Sequence, residues 1–134
     1  MKILLDTHIL VWFFDSDNKL TANALKLMAD ADNEIYFSAL AIFEVDLKRT
    51  TKPDKMPFDG DELAKLCEDA GFKCLPLELK HTLAVKNLTR KEGKPPHKDP
   101  FDNLMLAQAI VDEMVFITHD QRIAEYETDV VFKI

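Results

Sequence analysis

Five acids, Asp6, Glu44, Asp99, Asp102 and Asp120, stand in contexts that ordinary surface carboxylates lack. Asp6 directly follows the apolar run Ile3-Leu4-Leu5, and Asp120 follows Phe116-Ile117-Thr118-His119. In parallel α/β sheets ligands gather beyond the carboxyl ends of the strands, so an acid just after a strand is where chemistry can occur. Each also has a plainer reading, Asp6 as a helix cap and Asp120 as a turn residue. Glu44 has Leu40, Ala41, Leu47 and Lys48 as its neighbours one helical turn away. A carboxylate in a core-facing stripe must be protonated, paired or bound to a cation, because burying it bare is costly. Pairing with Lys48 is the bland solution, and Asp46, one step off that face, reads as a solvated surface acid. Lys98-Asp99-Pro100-Phe101-Asp102-Asn103 opens the most apolar helix of the chain. Asp99 at the cap, Pro100 in the first helical position and Asp102 three residues after the cap satisfy helix-start rules by themselves. The functional reading is that this first turn delivers one or both acids to the rim that holds Asp6.

If Asp6, Glu44, Asp102 and Asp120 converge, like charges close together leave some of them protonated unless a cation intervenes. An all-oxygen ligand set points to Mg²⁺ or Mn²⁺ rather than zinc. With either ion the chemistry is phosphoryl transfer or phosphodiester hydrolysis. Lys86, Arg90, Lys91, Lys94 and Lys98 face only Glu92, and Lys48, Arg49, Lys52 and Lys55 face Asp54, so each of the two patches flanks an acidic candidate. These residues either track the phosphates of a strand or belong to solvated loops. The longer patch, leading into Asp99, is the stronger, and Lys48, Arg90, Lys91, Lys94 and Lys98 are the expected contacts to such a strand. His8, His81, His97 and His119 stay outside the catalytic set, since no Ser or Cys has the setting of an activated nucleophile.

These positions need a frame. The chain has 134 residues, 47% hydrophobic and 31% charged, which suits one domain that buries roughly two thirds of its unfolded surface. Disorder is excluded. The net charge of −7 excludes bulk attraction to membranes or nucleic acid, so any such contact is local. Two cysteines, Cys67 and Cys74, fall far short of a secreted disulfide scaffold, and a reducing cytoplasm is the expected location. The apolar stretches 3–14 and 36–43 are too short to cross a bilayer, and no signal peptide is expected. Apolar runs predict strands over 2–5, 34–37, 73–75, 115–118 and 130–133. Leu20, Ala24, Leu27, Met28 and Ala31 mark one helical face, and Leu63, Leu66, Cys67 and Ala70 another. Further helices are predicted over 39–49, capped by Ser38, and over 79–88 and 101–113. This alternation predicts a parallel sheet covered by helices in a single α/β layer sandwich. Residues 51–60 and 93–100, rich in Pro and charge, read as connections, the first of them mobile. The six apolar residues 9–14 cover every side of a helix, either as an interface or as an enclosed central helix.

Leu4-Leu5-Asp6-Thr7-His8, Ser38 with Glu44 and Lys48, His97-Lys98-Asp99-Pro100-Phe101-Asp102 running into Leu106-Ala107-Gln108-Ala109, and Thr118-His119-Asp120 together form a pattern. It resembles the PIN domain, and within it the VapC-like toxin ribonucleases of type II toxin-antitoxin modules, over nearly the whole chain. The resemblance implies an α/β, PIN-like three-layer sandwich, with a sheet of about five parallel strands between helices. It implies an acidic pocket for Mg²⁺ or Mn²⁺, endonucleolytic cleavage of RNA, inhibition by a small cognate antitoxin, and a homodimer. Asp6, Glu44 and Asp102 match the three core acids, Asp120 the fourth and Asp99 an additional acid. Asn103 stands where many relatives carry Arg, and Phe43 where an aromatic Trp often precedes the helical Glu. Two other readings remain at this level. One is a Mg²⁺-dependent phosphohydrolase with Asp6 as nucleophile, although His8 stands where haloacid-dehalogenase-like enzymes place a second Asp. The other is a noncatalytic module that binds a protein through the Trp12 region.

Overall fold

Ile3, Leu4 and Leu5 have no exposed surface, so the first strand is covered on both of its faces and must lie inside a sheet flanked by helices. A computed structural model describes residues 1–15 and 19–134. The strands are β1 (Lys2–Leu5), β2 (Glu34–Ser38), β3 (Lys73–Leu75), β4 (Val115–Thr118) and β5 (Val131–Lys133). The helices are α1 (Thr7–Phe14), α2 (Ala22–Ala29), α3 (Ala39–Thr51), α4 (Gly60–Asp69), α5 (Leu79–Ala84), α6 (Pro100–Val111) and α7 (Gln121–Ala124). All strand pairs are parallel and the sheet order is β3-β2-β1-β4-β5. The chain builds outward from β1 through β2 to β3, then returns to the other side of β1 with β4. That reversal opens a crevice beyond the carboxyl ends of β1 and β4. Leu5 pairs with Ile117, which sets Asp6 beside Thr118 at its mouth.

The predicted elements are present, with ends moved by local chemistry. Ser38 caps α3 by accepting from the Leu40 N–H at 3.0 Å. The predicted helix over 79–88 divides into α5 and a 3-10 turn, Val85–Asn87. The connection read as mobile is fastened: it contains a 3-10 turn, Pro53–Lys55, buries Met56, and receives a 2.8 Å bond from Arg49 Nη1 to the Met56 carbonyl. Asp46 is exposed, but its Oδ1 accepts from the Gly60 N–H at 2.6 Å and so ties α4 to α3. Of the run 9–14, Ile9, Leu10 and Val11 are buried and Trp12, Phe13 and Phe14 pack against the core, which matches the enclosed alternative. The most exposed apolar side chains of the helices are Phe43 of α3 and Leu79 and Leu83 of α5. Among the described residues, no helix is long and apolar enough to cross a membrane.

Candidate functional site

The chain turns from β1 into α1 at Asp6, whose side chain is 3% exposed. Its Oδ1 accepts from the Thr7 N–H at 2.7 Å and its Oδ2 from the Thr118 hydroxyl at 2.7 Å. Asp6 is therefore the cap that the sequence allowed, and it also sits in the crevice. The Thr7 hydroxyl donates to Glu44 Oε1 at 2.7 Å, linking the acid of α1's cap to the acid of α3. Glu44 Oε2 meets Lys48 Nζ at 3.2 Å, so the plainer alternative, a pair with Lys48, is present. It compensates the burial of a carboxylate that is only 6% exposed.

The first turn of α6 brings the opposite wall. Asp99 caps the helix, its Oδ1 accepting from the N–H groups of Phe101 at 2.9 Å and Asp102 at 3.2 Å. Asp102 points inward, and its Oδ2 lies 2.8 Å from His97 Nε2. Asp120 caps α7, accepting from the Arg122 backbone N–H at 2.8 Å and holding the Arg122 guanidinium in a fork at 3.1 and 2.8 Å. Ligand atoms of His97, Asp102 and Asp120 all lie within 4.8 Å of one another.

Asp6 and Glu44 fall outside that cluster and are linked to it by charge. Burial is the main force that pushes Asp102 up to about 8, and Asp6, Asp99, Glu44 and Asp120 all push the same way. Burial also pushes Asp6 up to about 6; the Thr118 and Thr7 hydrogen bonds oppose this, while Glu44 and Asp120 add to it. Burial raises Asp120 too, but the Arg122 hydrogen bonds and charge outweigh it and hold that carboxyl below the usual range. Burial and the Arg122 charge keep His97 below the ordinary imidazole value. Burial, with the neighbouring acids adding to it, thus keeps Asp102 protonated at neutral pH and brings the titration of Asp6 close to it.

That donor set fits a divalent cation, since a dication offsets the burial and the repulsion that raise Asp6 and Asp102, and carboxylate oxygens suit hard ions. The expectation of purely oxygen surroundings needs one amendment. A histidine stands inside the cluster, with its Nε2 directed at Asp102, so it orients that carboxylate. A lone histidine is usually structural, so His97 does not stand out in the sequence. Its position five residues before Asp102, in the loop that enters α6, was the available signal. Asn103 holds that loop by donating to the His97 carbonyl at 2.8 Å and accepting from the Tyr126 hydroxyl at 2.5 Å.

The basic residues divide into two kinds. Arg90, read from the sequence as a phosphate contact, donates to the carbonyls of Pro95 at 2.8 Å and Arg122 at 2.6 Å, and lies over the Tyr126 ring at 4.4 Å. It also meets Glu125 at 3.4 Å with a side chain only 14% exposed, so it braces the loop from inside. Lys94 pairs with Glu125 at 3.4 Å. Lys91 and Lys98 are exposed. Lys48, half-buried, stays with Glu44.

Comparison with known proteins agrees with this fold. The chain spans 99% of its length and 98% of its counterpart in aligning with a chain of VapBC2 from Rickettsia felis bound to a DNA fragment from its promoter, at 17% identity and a TM-score of 0.72. DNA-bound VapBC from Salmonella typhimurium aligns over 93% of this chain and 91% of the other, at 15% identity and a TM-score of 0.59. A toxin-antitoxin complex from Klebsiella pneumoniae aligns over 98% and 99%, at 17% identity and a TM-score of 0.59. At these identities the likeness is one of fold. No curated protein matches the sequence. The sequence does match the PIN domain over residues 3–128, nearly its full length, and the chain belongs to the PIN domain family.

Proposed function

We propose that this chain is a metal-dependent endoribonuclease that hydrolyses RNA phosphodiester bonds as the toxin of a type II toxin-antitoxin module. The observation that carries the reading is the electrostatic convergence at the sheet crevice, where Asp6 and Asp102 are driven toward protonation by burial and by the acids around them. Asp6, Glu44, Asp102 and Asp120 would hold a Mg²⁺ or Mn²⁺ ion, with Asp99 at the edge of the site. When bound, such an ion supplies charge neutralisation for the scissile phosphate and for the ionisation of attacking water. The chain's own residues do the positioning. Thr7 and Thr118 fix both oxygens of Asp6, and Thr7 also fixes Glu44. His97 holds Asp102, and Arg122 keeps Asp120 ionised. Lys48, Lys91 and Lys98 stand near enough in sequence to these acids to face the phosphates of a bound strand.

The partner is a small cognate antitoxin, a reading supported by three structural neighbours that are themselves toxin-antitoxin assemblies. A homodimer formed through Phe43, Leu79 and Leu83 would cover side chains that are 56%, 73% and 54% exposed. The free thiols of Cys67 and Cys74 suit the reducing cytoplasm. The decisive experiment incubates purified protein with structured RNAs, with and without Mn²⁺. Cleavage should require the ion and vanish in an Asp6→Asn variant of unchanged circular dichroism. Equal cleavage by a pure Asp6→Asn sample would remove Asp6 from the mechanism.

A further inference from the structure

Two hollows lie on either side of one wall. The first, about 320 Å³, reaches Asp6, Asp120 and Arg122; the second, about 360 Å³, reaches Lys48, Lys52 and Lys55. His8 and Trp12, one helical turn apart on α1, line both. The hollows are therefore consecutive parts of one groove whose charge changes from acidic to basic across that wall. His8 is exposed, and the Trp12 ring meets His119 edge-on at a centroid distance of 5.1 Å. Lys52, at the end of α3, and Lys55, in the 3-10 turn after it, are exposed, and among the described residues neither ammonium is in an ion pair. The contrast with Lys94 and Arg90, both held by Glu125, is plain.

We infer that this groove binds an unpaired RNA strand: the nucleotide facing the acids occupies the first hollow, and the adjoining phosphate lies in the second against Lys52 and Lys55. The base between them rests on the wall of His8 and Trp12. The identity of the polymer rests on the nuclease reading above. An overall charge of −7 repels a polyanion, so its approach to an acidic centre needs cations immediately alongside. Lys52 and Lys55 supply them from the next turn of chain. Aromatic and imidazole faces beside a basic groove are the means by which single-stranded nucleic acid is held, since an unstacked base offers a flat apolar surface. A duplex keeps its bases stacked inward and cannot lay one on the wall. A peptide of one charge sign meets repulsion in one of the two hollows.

Trp12 is the only tryptophan in the chain, so its emission reports occupancy of the groove directly. An Asp102→Asn protein, in which cleavage is blocked, is titrated with an eight-nucleotide unpaired RNA in Mg²⁺. The RNA should change Trp12 emission saturably. Adding Lys52→Ala and Lys55→Ala should weaken binding about tenfold and flatten the slope of log affinity against log salt by about one. Binding that leaves Trp12 emission and the lysine double variant unaffected overturns the inference, as does equal affinity for a fully paired RNA. Polyglutamate changing Trp12 emission where RNA does not would make the groove a protein-docking surface and also overturn it. Cleavage by the unsubstituted protein is followed in parallel. RNA that binds in the groove without being cut sinks the nuclease reading and leaves the groove. Cleavage unaltered by the two lysine substitutions sinks the groove and leaves the nuclease.

Discussion

Asp102, 8% exposed and raised first by that burial and then by Asp6, Asp99, Glu44 and Asp120, binds its proton far more tightly in the folded chain than a free carboxylate does. An acid whose folded pKa exceeds its unfolded value destabilises the fold as it ionises. The folded state carries the extra proton between the two values, so stability falls as pH rises through that window. For Asp102 the window runs from about 4 to about 8, and for Asp6 from about 4 to about 6. Thermal melting of protein freed of divalent ions by EDTA should therefore show higher stability at pH 5 than at pH 8. Mn²⁺ should restore the loss at pH 8 and have little effect at pH 5, where both acids hold protons that compete with the ion. A flat melting temperature across that range, with no response to Mn²⁺, would contradict a shared acidic site. Asp102→Asn should raise the metal-free stability at pH 8 by about 1 to 3 kcal/mol, read by urea unfolding, while abolishing cleavage. At this scale the acids were legible in the sequence, because an Asp after an apolar run and a Glu inside an apolar stripe both break an ordinary pattern. Thr7, Thr118 and Arg122 were not, since a hydroxyl or guanidinium aimed at a carboxylate leaves no trace in spacing. His97 was visible only as a histidine.

The helices that carry these groups are held at their ends by chemistry that is partly readable. Asp59 and Glu62 form the capping box that starts α4. At the other end of α4, Gly71 at φ +83° lets the Gly71 and Phe72 N–H groups close on the Glu68 and Cys67 carbonyls. The end of α6 has the same pair of bonds, Glu113 to Ile110 and Met114 to Ala109, but Glu113 occupies the left-handed position at φ +56°. A side chain with a Cβ is strained there by about 1 to 2 kcal/mol, partly offset by the entropy glycine loses on folding. Glu113→Gly should stabilise the protein by about 0.5 to 1 kcal/mol in urea unfolding, with cleavage unchanged. A destabilisation would show that Glu113 is not strained. Connections were the least legible elements. Proline and charge marked residues 51–60 and 93–100 as non-helical, which they largely are, but not as fastened. Arg49 and Arg90 do the fastening through bonds to backbone carbonyls, and any residue supplies a carbonyl, so composition cannot show it. The same blindness turned Arg90, a brace, into an expected phosphate contact.

The whole molecule places its acids by topology: β1 lies between β2 and β4, so the end of β1 faces a crevice that no single element forms. Alternating strands and helices made a parallel sheet legible, whereas the order β3-β2-β1-β4-β5 depends on pairings between distant segments that periodicity does not encode. Surface character was only half legible at this scale. The apolar run 9–14 allowed an outward face or an enclosed helix, and tertiary packing selects the second, with Phe13 and Phe14 against Phe72 at ring centroid distances of 5.8 and 5.9 Å. The most exposed apolar side chains of the helices belong to α3 and α5, where Phe43 meets Phe101 at a tilt with ring centroids 5.8 Å apart and Leu79 and Leu83 lie one helical turn apart. Surface of this kind is costly in water, and a self-complementary face relieves it through a twofold contact. Light scattering coupled to gel filtration should give twice the 15.4 kDa chain mass. Leu79→Glu with Leu83→Glu should give the monomer, with the circular dichroism of the unsubstituted chain, because neither side chain is part of the core. A double variant that stays dimeric would move the contact elsewhere on the molecule, and an unsubstituted chain that runs as a monomer would leave that face to another protein.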